Sequence, residues 1–193
     1  MDVERPDRRK LKTVAALRSA LLQLIVEKHY DAITVQDIID RANVGRSTFY
    51  THFRDKEDLL IGDWKKFLGV IAAHINLPPL WGSVAPIEGL MAHVKDYHPL
   101  YRALVKSGKT ERLFSVGTEH LAEKIEEKIA ASDLALDIPP QVCAHYLSLQ
   151  IFGMLKWWLD RNMPYGPAEM GRMFSLLVAP GITNAVSRPE SPK

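Results

Sequence analysis

In the stretch Arg46 to Lys56, RSTFYTHFRDK, almost every side chain outside one apolar stripe can donate or accept a hydrogen bond. Phe49 and Phe53 stand four apart, the spacing of residues that share the buried face of a helix. Arg46, Ser47, Thr48, Tyr50, Thr51 and His52 are then left facing outward or flanking that stripe. A face built only of such groups suits the DNA major groove, where base edges and phosphates demand donors and acceptors. Catalytic chemistry has much less to work with. The seven histidines form no His-Glu-x-x-His, Cys143 has no second cysteine for a metal, and neither a glycine-rich phosphate loop nor Gly-x-Ser-x-Gly occurs. Glu119-His120 reads as a solvated pair, and His93, Asp96 and His98 straddle an expected helix break. A helical metal-dependent enzyme is therefore only a distant alternative, and no metal or cofactor is expected.

Two elements must hold that face in place. Thr34 is a good N-cap, and Asp37 three residues on resembles the reciprocal half of a capping box. The helix it opens sets Val35, Ile38 and Ile39 on one side and Asp37, Asp40 and Arg41 on the other. Ala42-Asn-Val-Gly45 breaks it, since Asn and Gly tolerate the left-handed backbone of a sharp turn. A second short helix runs from Arg46 to Phe53, and Asp55 caps a third.

Thr34-Val-Gln-Asp-Ile-Ile, Ala42-Asn-Val44 and Thr48-Phe-Tyr-Thr-His-Phe-Arg-Asp-Lys-Glu-Asp-Leu-Leu60 together resemble the helix-turn-helix of the tetracycline-repressor (TetR/AcrR) family. The likeness covers roughly a third of the chain, in the family's order and spacing. Asn43 stands where the turn often carries Gly, and His29 precedes Tyr30 where Gly is common. The resemblance implies an all-α protein with a three-helix DNA-binding head over 8–66. A helical regulatory and dimerisation domain over 67–182 and a flexible tail over 183–193 would follow. It places a base-reading side chain at Arg46, which could pair bidentately with guanine, and gives Tyr50 a base edge or phosphate. Ser47, Thr48 and Thr51 supply hydroxyls. Thr34, His52 and Lys56 fall where relatives bind phosphates, aided by helix N-termini at Thr34 and Lys56.

Composition agrees without adding much. The chain has 193 residues, 47% hydrophobic and 25% charged, as in an ordinary globular protein long enough for a sizeable core. A net charge of +2 does not by itself advertise a nucleic-acid binder. The basic excess is local, at Arg8, Arg9, Lys10 and Lys12, which ahead of a helix-turn-helix suits phosphates better than plain solvation. No apolar run reaches the ~18 residues of a membrane span and no signal peptide is evident. A lone cysteine fits a reducing cytoplasm, where the protein is expected.

Taken in order, Met1 to Asp7 reads as a polar arm and Lys12 to Lys28 as a supporting helix, with Tyr30 in the small core. The Asp55-capped helix continues to about Ile75, where Pro78-Pro79 stop it, and acts as a lever out of the head. Helices follow from Pro86 to Asp96, Pro99 to Ser107, Glu111 to Ala131, Gln141 to Arg161 and Ala168 to Leu177; Pro189 and Pro192 mark a frayed end.

Tyr146, Leu149, Gly153 and Trp157, with Met154 and Trp158 beside them, recur at threes and fours near Met173, Leu176 and Leu177. With the family's habit of pairing its last two helices, Tyr146, Leu149, Gly153, Trp157, Met173 and Leu176 are expected at a homodimer contact. A dimer reads two half-sites about 34–36 Å or a multiple apart, hence a palindromic double-stranded operator. The resemblance also implies a small-molecule effector among the middle helices. Trp64, Phe67, Met91, Tyr97, Tyr101, Phe114 and Phe152, with Trp81 and His93, are its candidate lining. The expected function is thus transcription regulation, as a repressor released by an effector. The alternatives are an activator or an effector-independent DNA binder.

Overall fold

The computed structural model describes residues 8–74, 85–132 and 135–186. Among these are nine α-helices: α1 (Arg8–Glu27), α2 (Val35–Ala42), α3 (Arg46–His52), α4 (Lys56–His74), α5 (Ala85–Asp96), α6 (His98–Lys106), α7 (Thr110–Ala130), α8 (Pro140–Asp160) and α9 (Pro167–Ala185). A 3-10 turn, Tyr30–Ala32, precedes α2, and Leu136 and Val186 form one isolated antiparallel bridge. The architecture is all-α, as the sequence predicts. The arm before Arg8, the stop at Pro78-Pro79, Trp81 and the tail from 187 onward lie outside the described residues.

The chain forms two compact units, Met1–Trp64 with His98–Leu113, and Lys65–Tyr97 with Phe114–Lys193. In the first, α1 packs its apolar stripe of Leu17, Leu21, Leu24 and Ile25 on α2 and α6. The segment 98–113, which the sequence places in the 67–182 region, sits in this unit for physical reasons. Tyr101 and Leu104 are buried, the Trp64 indole Nε1 donates to the Leu113 carbonyl at 3.0 Å, and Ser107 Oγ accepts from the buried Tyr30 N–H at 3.1 Å.

The second unit buries Leu90, Met91 and Val94 of α5, Leu121, Ile125 and Ile129 of α7, and Leu147, Ile151, Leu155 and Trp158 of α8. These are the inward residues expected of α5 and α7. The last helix departs from expectation. It runs to Ala185 through Pro180 rather than ending at Leu177, so residues 183–185 are helical and not tail. An interior proline costs about 3 kcal/mol. Phe174, Val178 and Ile182 lie on one buried face, and α9 packs closely on α5, which offsets that cost. The turn before α9 holds Asn162 and Met163 in the left-handed region, with Met163 N–H donating to Trp158 O at 2.8 Å.

Candidate nucleic-acid interface

The capping box at α2 is complete. Thr34 Oγ1 accepts from Asp37 N–H at 3.1 Å and the Asp37 carboxylate accepts from Thr34 N–H at 2.7 Å. Lys28 Nζ sits 2.8 Å from the same carboxylate. That ammonium first, then the Thr34 hydroxyl and N–H, holds the Asp37 carboxyl far below the usual carboxylate range. Its contribution to stability is fully present above the unfolded carboxylate's pKa and is lost progressively as pH falls from there through the depressed native value. The turn after α2 relies on Asn43, at φ 51° and ψ 50°, while Gly45 is extended and caps α3. Only the asparagine therefore uses the left-handed backbone here.

Phe49 seats α3. Its ring is fully buried, with the Tyr50 ring edge-on at 5.3 Å and Phe53 tilted at 5.9 Å. Phe53, expected to be buried beside it, is only half-buried because it lies past the helix end with φ −140°. Arg46, Ser47, Tyr50 and Thr51 are exposed, and Thr48 and His52 half-buried.

The Arg46 guanidinium is held in place on this surface. Nη1 donates to Gln36 Oε1 at 3.2 Å, Nη2 to Tyr50 Oη at 3.4 Å, and the group lies 5.6 Å from the Tyr50 ring centroid. Gln36 Nε2 in turn donates to Asp40 Oδ1 at 2.8 Å. This chain of contacts joins α2 to α3 and sets Gln36 beside Arg46 on the exposed surface. Sequence reasoning missed it, although Gln36 and Asp40 stand four apart on the polar side of α2. The guanidinium keeps further N–H groups for a base edge.

The hydroxyls are less free than their type suggests. Thr51 Oγ1 donates to Ser47 O at 3.0 Å, which leaves it as an acceptor. Thr34 Oγ1 donates its proton to Asp37 Oδ2 at 2.7 Å, so it cannot donate to phosphate while the cap is intact. What α2 still offers an anion is the pair of first-turn N–H groups, Val35 and Gln36.

Lys56 departs furthest from the phosphate role that the resemblance implies. Its Nζ donates to the carbonyls of Ile33 at 2.6 Å, Tyr30 at 2.8 Å and Asp31 at 3.3 Å, and lies 4.6 Å from the Tyr30 ring centroid. An ammonium has three donors, and all three are spent on this turn. Burial pulls its pKa down, opposed by Asp31. The lysine staples the Tyr30–Ala32 turn to the start of α4. Burial, with Glu57, Asp55 and Asp31 nearby, pushes the Tyr30 phenol up, so it stays protonated. Lys56→Met should destabilise the protein by about 1–2 kcal/mol, through the Ile33 and Asp31 carbonyls left short of a donor, the Tyr30 carbonyl keeping the Ile33 N–H. Urea denaturation checks this; an unchanged midpoint would show that the staple carries no weight.

The effector candidates divide between the units. Trp64 and Tyr101 are buried neighbours in the first, with ring centroids 6.1 Å apart. In the second, Phe67 stacks on His93 at 3.8 Å, the exposed Tyr97 lies 4.6 Å from His93, Phe114 meets Phe152 at 5.6 Å, and Met91 is wholly buried. The seven therefore form no single lining within either unit. Of the dimer candidates, Tyr146, Leu149, Gly153 and Trp157 lie on one exposed face of α8. Leu176 and Leu177 are each 71% exposed on α9, and Met173 is half-buried. An apolar groove of about 600 Å³ separates these helices, lined by Gly153, Met154, Trp157, Met173 and Leu176 among others. Trp158, by contrast, is core. Among the described residues no three His, Cys, Asp or Glu side chains gather as a metal site, and no helix is long and apolar enough to cross a membrane.

Known proteins share these features. The family described as "Bacterial regulatory proteins, tetR family" matches residues 17–61, and "Transcriptional regulator C-terminal region" matches 85–179. The HTH-type transcriptional regulator YxbF of Bacillus subtilis (strain 168) is 26% identical over 174 residues, 87% of this chain and 45% of that protein. The chain spans about half the length of the curated relatives it matches. Among solved structures, NalD of Pseudomonas aeruginosa, the secondary repressor of the MexAB-OprM multidrug efflux pump, aligns with a TM-score of 0.59 at 16% identity, covering 95% of this chain and 100% of that one. The dihydroxyacetone kinase operon activator DhaS aligns at 0.63 and 20% identity, covering 91% and 98%. At such identities the structures speak for the fold, and the family matches speak for the head and the C-terminal region. With a capped α2, an αL turn and an outward-facing α3 in the matched segment, this chain belongs to the TetR family of helix-turn-helix, DNA-binding transcriptional regulators.

Proposed function

We propose that the protein is a homodimeric repressor that holds a two-fold operator and is released by a small-molecule effector. The observation that carries the dimer is the exposed apolar face of α8 and α9: Tyr146, Leu149 and Trp157 beside Leu176 and Leu177. A contiguous apolar surface of this kind is costly in water unless a partner covers it. A second copy would also supply the second recognition helix, and one α3 of seven residues spans too few base pairs for a unique site. The effector would act in the second unit, where the Phe67–His93–Tyr97 and Phe114–Phe152 clusters offer aromatic surface. It would shift the dimer toward a shape with mismatched half-site spacing, which requires unequal affinity for the two shapes. The place of action is the bacterial cytoplasm, where the chromosome lies.

Leu149→Asp/Leu176→Asp tests the dimer. The wild-type chain should sediment as a dimer and bind a two-half-site duplex two to one. The variant should sediment as a monomer with unchanged helix content and lose about a hundredfold or more in operator affinity. A variant that stays dimeric would refute this contact.

A further inference from the structure

His98, Arg102 and Lys106 follow one another at intervals of four along α6, which stacks them on one face of a helix that has no acidic residue. That face forms one wall of an open groove of about 540 Å³ within the first unit; the end of α1, with Val26, Lys28 and His29, forms the other. Glu27 is the sole acid among the lining residues, and Arg41 takes its carboxylate at 2.7 and 2.8 Å. Lys28 is paired with Asp37. Arg102 and Lys106 have no anionic partner among the described residues. Two like charges one turn apart repel, a cost that a bound anionic group would relieve.

The groove is also preformed. Ser107 Oγ accepts from the Tyr30 N–H at 3.1 Å, and Lys109 pairs with Asp31 at 3.0 Å, so the end of α6 is tied to the turn that follows α1. The lining also includes the apolar side chains of Val26, Pro99 and Ala103. Four residues of helix rise about 6 Å, which is the spacing of Arg102 and Lys106 along the wall. The volume falls in the range of small-molecule sites, and a concave wall suits a compact ligand better than the convex backbone of a duplex.

We infer that the α1–α6 groove binds a small organic molecule bearing two anionic groups, phosphate or carboxylate, with those groups on Arg102 and Lys106 and its body against Val26, Pro99 and Ala103. The site is separate from the effector clusters of the second unit and does not depend on them.

The test is calorimetric titration of the full chain at constant ionic strength. Glutarate and propane-1,3-diyl bisphosphate serve as probes, with butyrate and inorganic phosphate as controls that carry one anionic group each. At least one of the two probes should saturate at one per chain, about tenfold tighter than its one-group control. Which of the two does so identifies the acid. Arg102→Gln/Lys106→Gln should weaken that binding at least about tenfold, whereas Arg172→Gln, on the exposed face of α9, should leave it unchanged. Absence of saturation, or binding undiminished in the double variant, would overturn the site. So would a double variant that loses DNA affinity with a shallower salt dependence while neither probe binds, because the groove would then be a contact for the DNA backbone.

Discussion

Phe49→Ala is expected to destabilise the DNA-binding unit by about 3–5 kcal/mol, the cost of removing a fully buried aromatic ring from a core that cannot close around the cavity. The ring has no solvent exposure and is packed by the rings of Tyr50 and Phe53. As the one buried residue of α3, it is the contact that fixes how that helix is presented. A domain stable by about 5–15 kcal/mol loses a large share of that margin. Phe49→Leu, which keeps most of the volume, should cost under about 1.5 kcal/mol. Denaturant titration followed by circular dichroism distinguishes the two substitutions. Near-equal midpoints for Phe49→Ala and wild type would mean that α3 is not seated through this ring.

Arg46→Ala should act on DNA recognition and leave the fold alone. The side chain is exposed at the first position of α3, so its truncation creates no cavity. The loss is about 1–3 kcal/mol of operator affinity, concentrated at one base pair, as befits a bidentate contact with guanine. Gln36→Ala should reproduce part of this, because the Gln36 carbonyl oxygen, itself oriented through Asp40, holds the guanidinium at 3.2 Å. Competition binding against every single-base variant of the site measures the effect. An equal loss on specific and non-specific DNA would assign Arg46 to the phosphates instead.

Where local rules agree, the sequence was an adequate guide. The Thr34 cap, the Ile38–Ile39 stripe, Asn43 at the left-handed turn and the Asp55 cap each point to the same helix boundaries, and each is observed. What could not be read locally depends on which groups meet in space. Lys56 is spent on carbonyls more than twenty residues earlier, and Ser107 reaches a backbone N–H 77 positions away. Neither contact leaves a periodic mark on the sequence. The Thr34 hydroxyl could be typed as a donor, but only the Asp37 carboxylate beside it shows that the proton is already used. The end of the last helix, expected at Leu177, departs for the opposite reason: α9 continues through Pro180 to Ala185. The cost of the interior proline is offset by the burial of Val178 and Ile182.

Capture and sequencing of fragmented genomic DNA by the purified protein, with Arg46→Ala in parallel, tests the central claim most directly. If the α3 face with Gln36 and Arg46 reads bases, the wild-type chain enriches one recurrent site with two-fold symmetry, and the variant does not. A wild-type chain that enriches no sequence, or a variant that enriches the same site equally well, would contradict the account.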